Sequence, residues 1–141
     1  MTSNCAGICL VSKGLVLLSR RIEFLRGSPV ELGGYWSPFA GSIEKGETPK
    51  DCAIRELKEE SGFSVDPNKV IFQKVIKRKK GKVHFHFFIA ELDKFPKIKL
   101  DYEHTEFGLF RIDCLETLSP LDNKVLKSLK RYYKNAIAKK S

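Results

Sequence analysis

The chain has 141 residues, with 26 Lys+Arg against 17 Asp+Glu, for a formal charge of +9. That length suits one domain, residues 1–141, able to bury about two-thirds of its unfolded surface. Hydrophobic residues at 42% and charged residues at 30% exclude a disordered chain, and four cysteines are too few for a disulfide scaffold.

Residues 5–18 are fairly apolar, but Ser12 and Lys13 interrupt them and no basic run precedes Cys5. A transmembrane helix needs roughly 20 apolar residues. The expectation is a cytoplasmic protein with neither leader nor membrane span. Cys5, Cys9, Cys52 and Cys114 read as small buried hydrophobes rather than metal ligands. Asn4–Arg20 predicts two strands joined at Lys13-Gly14, with Ile8, Leu10, Leu15 and Leu17 in the core. Residues 21–36 hold Gly-Ser-Pro and Gly-Gly and predict a long loop, and Trp36–Gly41 a short strand running into a turn. Thr48 as N-cap, Pro49 at the first helical position, Asp51 three residues past the cap and Gly62 beyond the end bound a helix at 49–61. Ala53, Ile54 and Leu57 would face inward. Two strands follow, Lys69–Lys77 and Val83–Asp93, joined by the basic turn Arg78–Lys82. After the polar loop Asp101–Glu106 comes a strand over Phe107–Ile112. Ser119 would cap a terminal helix opened by Pro120, with Leu121, Val125, Leu126, Leu129, Tyr132 and Tyr133 as its apolar stripe. The order predicts an α/β/α sandwich, a mixed sheet between helices.

The helix at 49–61 carries Glu56, Glu59 and Glu60 at i, i+3 and i+4. They span an arc of about 100° on one face. Like charges at this spacing destabilise an isolated helix by a few tenths of a kcal/mol per pair. Two lie in the C-terminal half, where the dipole also disfavours them. Two readings remain at this point: a solvated acidic face beside Arg55 and Lys58, or ligands for a hard divalent cation.

The surroundings favour the second. From Gly41 the chain reads Gly, five residues, Glu47, seven residues, Arg55-Glu56-Leu57, one residue, Glu59-Glu60, one residue, Gly62-Phe63. Seven fixed residue types at roughly 7% background make a chance match on the order of one in 10⁸ per start position. This segment resembles the Nudix box, and the chain is identified as a member of the Nudix hydrolase family. The resemblance implies an α/β/α Nudix fold whose loop-helix-loop binds Mg²⁺ or Mn²⁺. The implied reaction is water attack on a phosphorus of a nucleoside diphosphate linked to another group. It marks Glu56, Glu59 and Glu60 as metal ligands or, for one of them, the base, and the Gly41 carbonyl as a further ligand. Glu47 and Arg55 become the supporting pair, Gly62 the helix end, and Leu57 and Phe63 the anchors. Glu103 matches an off-box carboxylate acting as ligand or base, with Glu106 the alternative. Independently, a pyrophosphate repels an anionic nucleophile, and divalent metals neutralise that charge and lower the pKa of bound water.

Tyr35, Trp36 and Phe39 precede the box and are candidates to stack a nucleobase. Glu44, in the box loop, and His86, alternating with apolar neighbours on its strand, are further candidates for the substrate side. Downstream positions that carry proline in ADP-ribose enzymes or tyrosine in diadenosine polyphosphate enzymes hold Arg78 and Lys79 here. The family's NADH and coenzyme A signatures are absent. The substrate class stays open among ADP-ribose or ADP-sugars, dinucleoside polyphosphates and nucleoside triphosphates, with a lean toward adenine-containing dinucleotides or ADP-sugars. Residues 41–63 hold four basic and six acidic residues, net −2, which leaves +11 for the rest of the chain. A basic surface steers polyanions, so an RNA 5′ end is an alternative substrate, served by the turn Lys77–Lys82 and the terminal helix. All box carboxylates are present, which favours an enzyme over a nucleotide- or RNA-binding module on the same fold. Nudix proteins are often homodimers, and residues 21–34 are open to a dimer interface or a substrate lid.

Overall fold

The structure, a computed structural model, describes residues 2–140. It opens with a hairpin of β1 (Ser3–Ser12) and β2 (Leu15–Arg21). Lys13 and Gly14 between them both take positive φ, 49° and 83°, as a two-residue type I′ turn requires. The following segment, expected as a plain loop, contains a small exposed hairpin, β3 (Phe24–Leu25) with β4 (Ser28–Pro29). The single strand expected next is two: β5 (Trp36–Ser37) and β6 (Phe39–Ser42). They part at Pro38, which has no N–H to donate, and pair with different partners, β5 with β2 and β6 with β1.

α1 (Pro49–Ser61) has the bounds its sequence predicts. The Thr48 side chain accepts from the Asp51 N–H, and Gly62 turns left-handed at φ 77° so that its N–H reaches the Lys58 carbonyl. A 3₁₀ turn, Pro67–Lys69, leads into β7 (Val70–Arg78), and β8 (Val83–Glu91) returns beside it. β9 (His104–Arg111) starts three residues earlier than expected, because the whole run pairs along β2 from Arg21 to Leu15. A 3₁₀ stretch, Ile112–Thr117, precedes α2 (Asn123–Lys140).

The expected cap of α2 is corrected. The Pro120 carbonyl accepts from Trp36 N–H and Leu121 bridges Trp36, so residues 119–121 are drawn to the sheet rather than into the helix. Asp122 does the capping, its Oδ1 accepting from Lys124 N–H at 2.8 Å and Val125 N–H at 3.2 Å.

The sheet runs β5-β2-β1-β8-β7, with β6 on β1 and β9 on β2. Only the β1–β8 pairing is parallel, so the sheet is mixed. Alternation divides its side chains. Ala6, Ile8, Leu10 and Phe88 pack with Ala53 and Leu57 of α1, and Cys9, Val11, Phe85, Phe87 and Ile89 pack with Val125 and Leu129 of α2. This is the expected α/β/α sandwich. Burying a side chain such as Leu57 contributes about 1.5–3 kcal/mol. Of the cysteines Cys9 and Cys52 are buried, Cys5 is half-buried, and Cys114, expected inside, is exposed. Among the described residues no helix is long and apolar enough to cross a membrane.

Candidate active site

Two groups of carboxylates meet on α1. The first surrounds Arg55. Its Nε and Nη2 donate to the two oxygens of Glu47 at 2.8 and 3.0 Å, a bidentate pair. Nη1 reaches Glu56 at 2.9 Å and Glu59 at 3.3 Å, and lies 3.5 Å from Glu44. Nη2 also donates to the Ser42 carbonyl at 3.1 Å, tying the helix to the end of β6. The Arg55 hydrogen bond and the Glu44 N–H hold the Glu47 carboxyl down to about 2, and the Glu47 bond raises the guanidinium further.

The second group lies one turn on, around Glu60, which is 2% exposed. Ala40 N–H donates to its Oε1 at 2.9 Å. The loop before β9 docks here because the last carbonyls of α1 lack intrahelical partners. Lys99 N–H takes the Ser61 carbonyl at 2.9 Å and Asp101 N–H takes that of Glu60 at 3.1 Å. Asp101 Oδ1 then accepts from Glu103 N–H at 3.1 Å and sits 3.0 Å from His104 Nδ1. The His104 ring is buried edge-on against Phe39, and its Nε2, without a hydrogen-bond partner, lies 3.9 Å from Glu60 Oε1. Glu60, Asp101 and Glu103 each offer an oxygen within 4.8 Å of the others. Burial first, and the Glu56 charge second, push Glu60 up to about 9, and burial also raises Glu56.

Gly41 closes the space between β6 and α1. A Cβ there would lie 2.2 Å from the Glu56 carboxyl, so only glycine lets strand and carboxylate approach this closely. The donors are all oxygen and short of positive charge, which is the set a hard divalent cation takes. Nudix enzymes generally use such a metal, and the group at Glu60 suits one.

A cleft of about 240 Å³ opens on the α2 side of the sheet. Tyr35 and Trp36 line it with Arg21, Arg78, Phe85 and Asp122, and Ala40–Ser42 form its wall toward α1. Trp36 also packs edge-on against Phe110 at 4.9 Å. Two substrate-side expectations fail. Phe39 is 1% exposed and points into the core toward α1, so no base can stack on it from the cleft. His86 lies on the α1 face of β8, opposite to the cleft residues Val83 and Phe85, with Nε2 3.5 Å from Asn4 Oδ1. Glu44 is exposed in the Arg55 group, away from the cleft. Glu106 of β9 is outside the group at Glu60 and pairs instead with Arg20 of β2 at 3.6 Å.

Sequence reasoning gave no role to Asp101, although its loop was singled out. Its signal was proximity to Glu103. Asp122 and Arg78, paired at 3.3 Å across the cleft, were missed as a pair, since nothing in local spacing joins residues on β7 and α2.

Fold and site together define a class: a three-layer α/β/α protein with a carboxylate-rich helix end facing a loop carboxylate. The model of the NUDIX domain matches residues 1–132, and the chain belongs to the Nudix hydrolase family. It is 28% identical over 149 residues to an RNA pyrophosphohydrolase of a Nitratiruptor species, spanning 93% of this chain and 92% of that protein. Another RNA pyrophosphohydrolase, from Erythrobacter litoralis, is 41% identical over 48% of this chain but only 38% of its own length. Among solved structures, a MutT protein from Methanosarcina mazei Go1 superposes with a TM-score of 0.77 at 22% identity, covering 96% of this chain and 95% of that one.

Proposed function

We propose that this Nudix pyrophosphohydrolase cleaves a phosphoric anhydride at the 5′ end of a nucleotide or RNA, water attacking phosphorus beside Glu60. One observation carries the reading. A buried carboxylate, held by a backbone amide through one oxygen, has two more carboxylates within 4.8 Å.

The roles follow from the placement. Glu56 and Glu59, with the Gly41 carbonyl and the Glu103 carboxylate, would hold a divalent cation, Mg²⁺ or Mn²⁺. When bound, that ion neutralises phosphate charge and acidifies water. Glu60 takes the proton from the attacking water. Its Oε1 accepts from Ala40 N–H, which fixes the orientation of the carboxylate. Burial disfavours its ionised form in the metal-free protein, and the charge of a bound cation would favour the carboxylate that accepts the proton. The water oxygen bonds to phosphorus, the bridging P–O bond breaks, and its electron pair leaves on the departing phosphate. Asp101 orients His104 and Glu103 through Oδ1. Arg55 and Glu47 fix the box loop against α1. Tyr35 and Trp36 flank the base or sugar in the cleft, and Gly62 ends the helix where the loop docks.

The relative named RNA pyrophosphohydrolase, matched over nearly its full length, favours the RNA 5′ end over ADP-sugars or dinucleoside polyphosphates. The test incubates the protein and Mg²⁺ with 5′-triphosphorylated RNA, nucleoside triphosphates, diadenosine polyphosphates and ADP-ribose, and resolves products by chromatography. RNA is expected to be the preferred substrate, and Glu60→Gln is expected to cut turnover by about 10²–10⁴. Turnover near wild type in that variant sinks the catalytic assignment, and a preference for ADP-ribose sinks the substrate.

A further inference from the structure

We propose that the groove between β7 and α2 carries the phosphate backbone of an RNA whose 5′ end occupies the site above. This inference rests on the hydrolase reading. The groove encloses about 330 Å³ and is lined by Gln73, Lys74, Lys124, Lys127, Ser128 and Arg131. Lys124, Lys127 and Arg131 stand at i, i+3 and i+7, so they form one stripe along α2. Lys74 lines the β7 side.

Unpaired cations occur elsewhere among the described residues too, Lys50 and Lys82 among them; these four are set apart by lining one concavity. Arg78, Lys79, Arg111 and Lys130 each pair with a carboxylate. Among the described residues Lys74, Lys124, Lys127 and Arg131 form no such ion pair; Lys124 Nζ instead donates to the Lys77 carbonyl. Four uncompensated positive charges around one concavity repel one another, and an anionic occupant relieves that repulsion. The stripe from Lys124 to Arg131 rises about 10 Å, which fits an occupant with repeated charges better than a lone phosphate. The lining has no aromatic side chain to stack a base. It therefore grips backbone and leaves sequence unread.

The groove lies beside the cleft. Asp122 and Val125 line the cleft, and Lys124 and Ser128, within a turn of them on α2, line the groove. Arg78 lines the cleft from the strand that supplies Lys74 to the groove. A polynucleotide leaving the cleft meets these cations next. RNA is the occupant of choice because a transcript begins with an intact nucleoside triphosphate, which presents the anhydride.

The test compares Lys127→Glu/Arg131→Glu with Lys134→Glu/Lys139→Glu, an equal charge change on α2 outside the groove. Each is assayed on a short 5′-triphosphorylated RNA and on the dinucleotide triphosphate that begins it. The groove variant is expected to lose at least about tenfold in kcat/KM on the RNA, through KM, and nothing on the dinucleotide. Its RNA affinity should depend less steeply on salt, by roughly 0.7 in log–log slope per lost contact. Fluorescence anisotropy with a 5′-hydroxyl RNA judges the groove without hydrolysis, so a chain that cleaves neither substrate fails the hydrolase reading alone. Equal losses in both variants, equal losses on both substrates, or unchanged RNA binding in the groove variant overturn the proposal.

Discussion

Arg55 and His104 flank the same helix, and the carboxylates around them are treated in different ways. Glu44, Glu47, Glu56 and Glu59 share one guanidinium, and Glu47 is held as an anion by two N–H bonds from Arg55 and one from the Glu44 amide. Glu60, Asp101 and Glu103 converge around a buried imidazole and the amides of Ala40 and Glu103, and Glu60 resists ionisation there. The first group fixes the loop through Arg55, and in the proposed reading its Glu56 and Glu59 also face the cation. Among the described residues the second has no guanidinium beside it, and in the proposed reading its Glu103 joins the cation while Glu60 serves as the base. Glu56 and Glu60, one turn apart, stand on either side of the boundary.

The contrast breaks most sharply if Glu60→Gln, besides losing turnover, fails to raise the melting temperature of the metal-free protein above neutral pH. An amide in that place carries no charge to bury, so a rise of several degrees is expected in a thermal scan. On the other side, Arg55→Lys should lower the melting temperature and cost about 10–100-fold in activity. An ammonium cannot hold both oxygens of Glu47 while reaching Glu56 and the Ser42 carbonyl. An Arg55→Lys protein with wild-type activity would make the two groups equivalent. Asp101→Asn is expected to weaken Mn²⁺ binding about tenfold, measured by titration calorimetry, with the fold retained. Unchanged affinity would remove Asp101 from the second group.

The smallest effect is in pH, and the two groups have opposite signs. Glu47 binds its proton less tightly in the fold, so its contribution is present above its ordinary value of 4.5 and is lost as pH falls toward 2. Glu60 binds a proton that the unfolded chain has already released, so metal-free stability falls as pH rises from 4.5 toward 9. Melting temperature against pH should therefore decline at both ends, and added Mg²⁺ should lift the alkaline end alone.

What was legible followed from short-range chemistry. Thr48, Pro49 and Gly62 each have a local reason to start or stop a helix, and α1 obeys them. The Arg55–Glu47 pair was legible because its spacing belongs to one compact motif. Contacts across the chain were less so. Asp101 reaches Glu60 only because the helix end needs donors, which no spacing records. Pro120 looked like a helix opener until Trp36, distant in sequence, took its carbonyl. Phe39 and His86 were assigned to the substrate by residue type, and the parity of their strands turned both toward α1.

β6 is four residues long, and both sides of it are in use. Ala40 and Gly41 wall the cleft, while the amide of Ala40 holds Glu60 and the bare backbone of Gly41 admits Glu56. A change made there to accommodate a new base or sugar alters the reacting end in the same stroke. On the opposite rim, in the proposed reading, substitutions in residues 21–36 and at the start of α2 reach the cleft without touching Glu60.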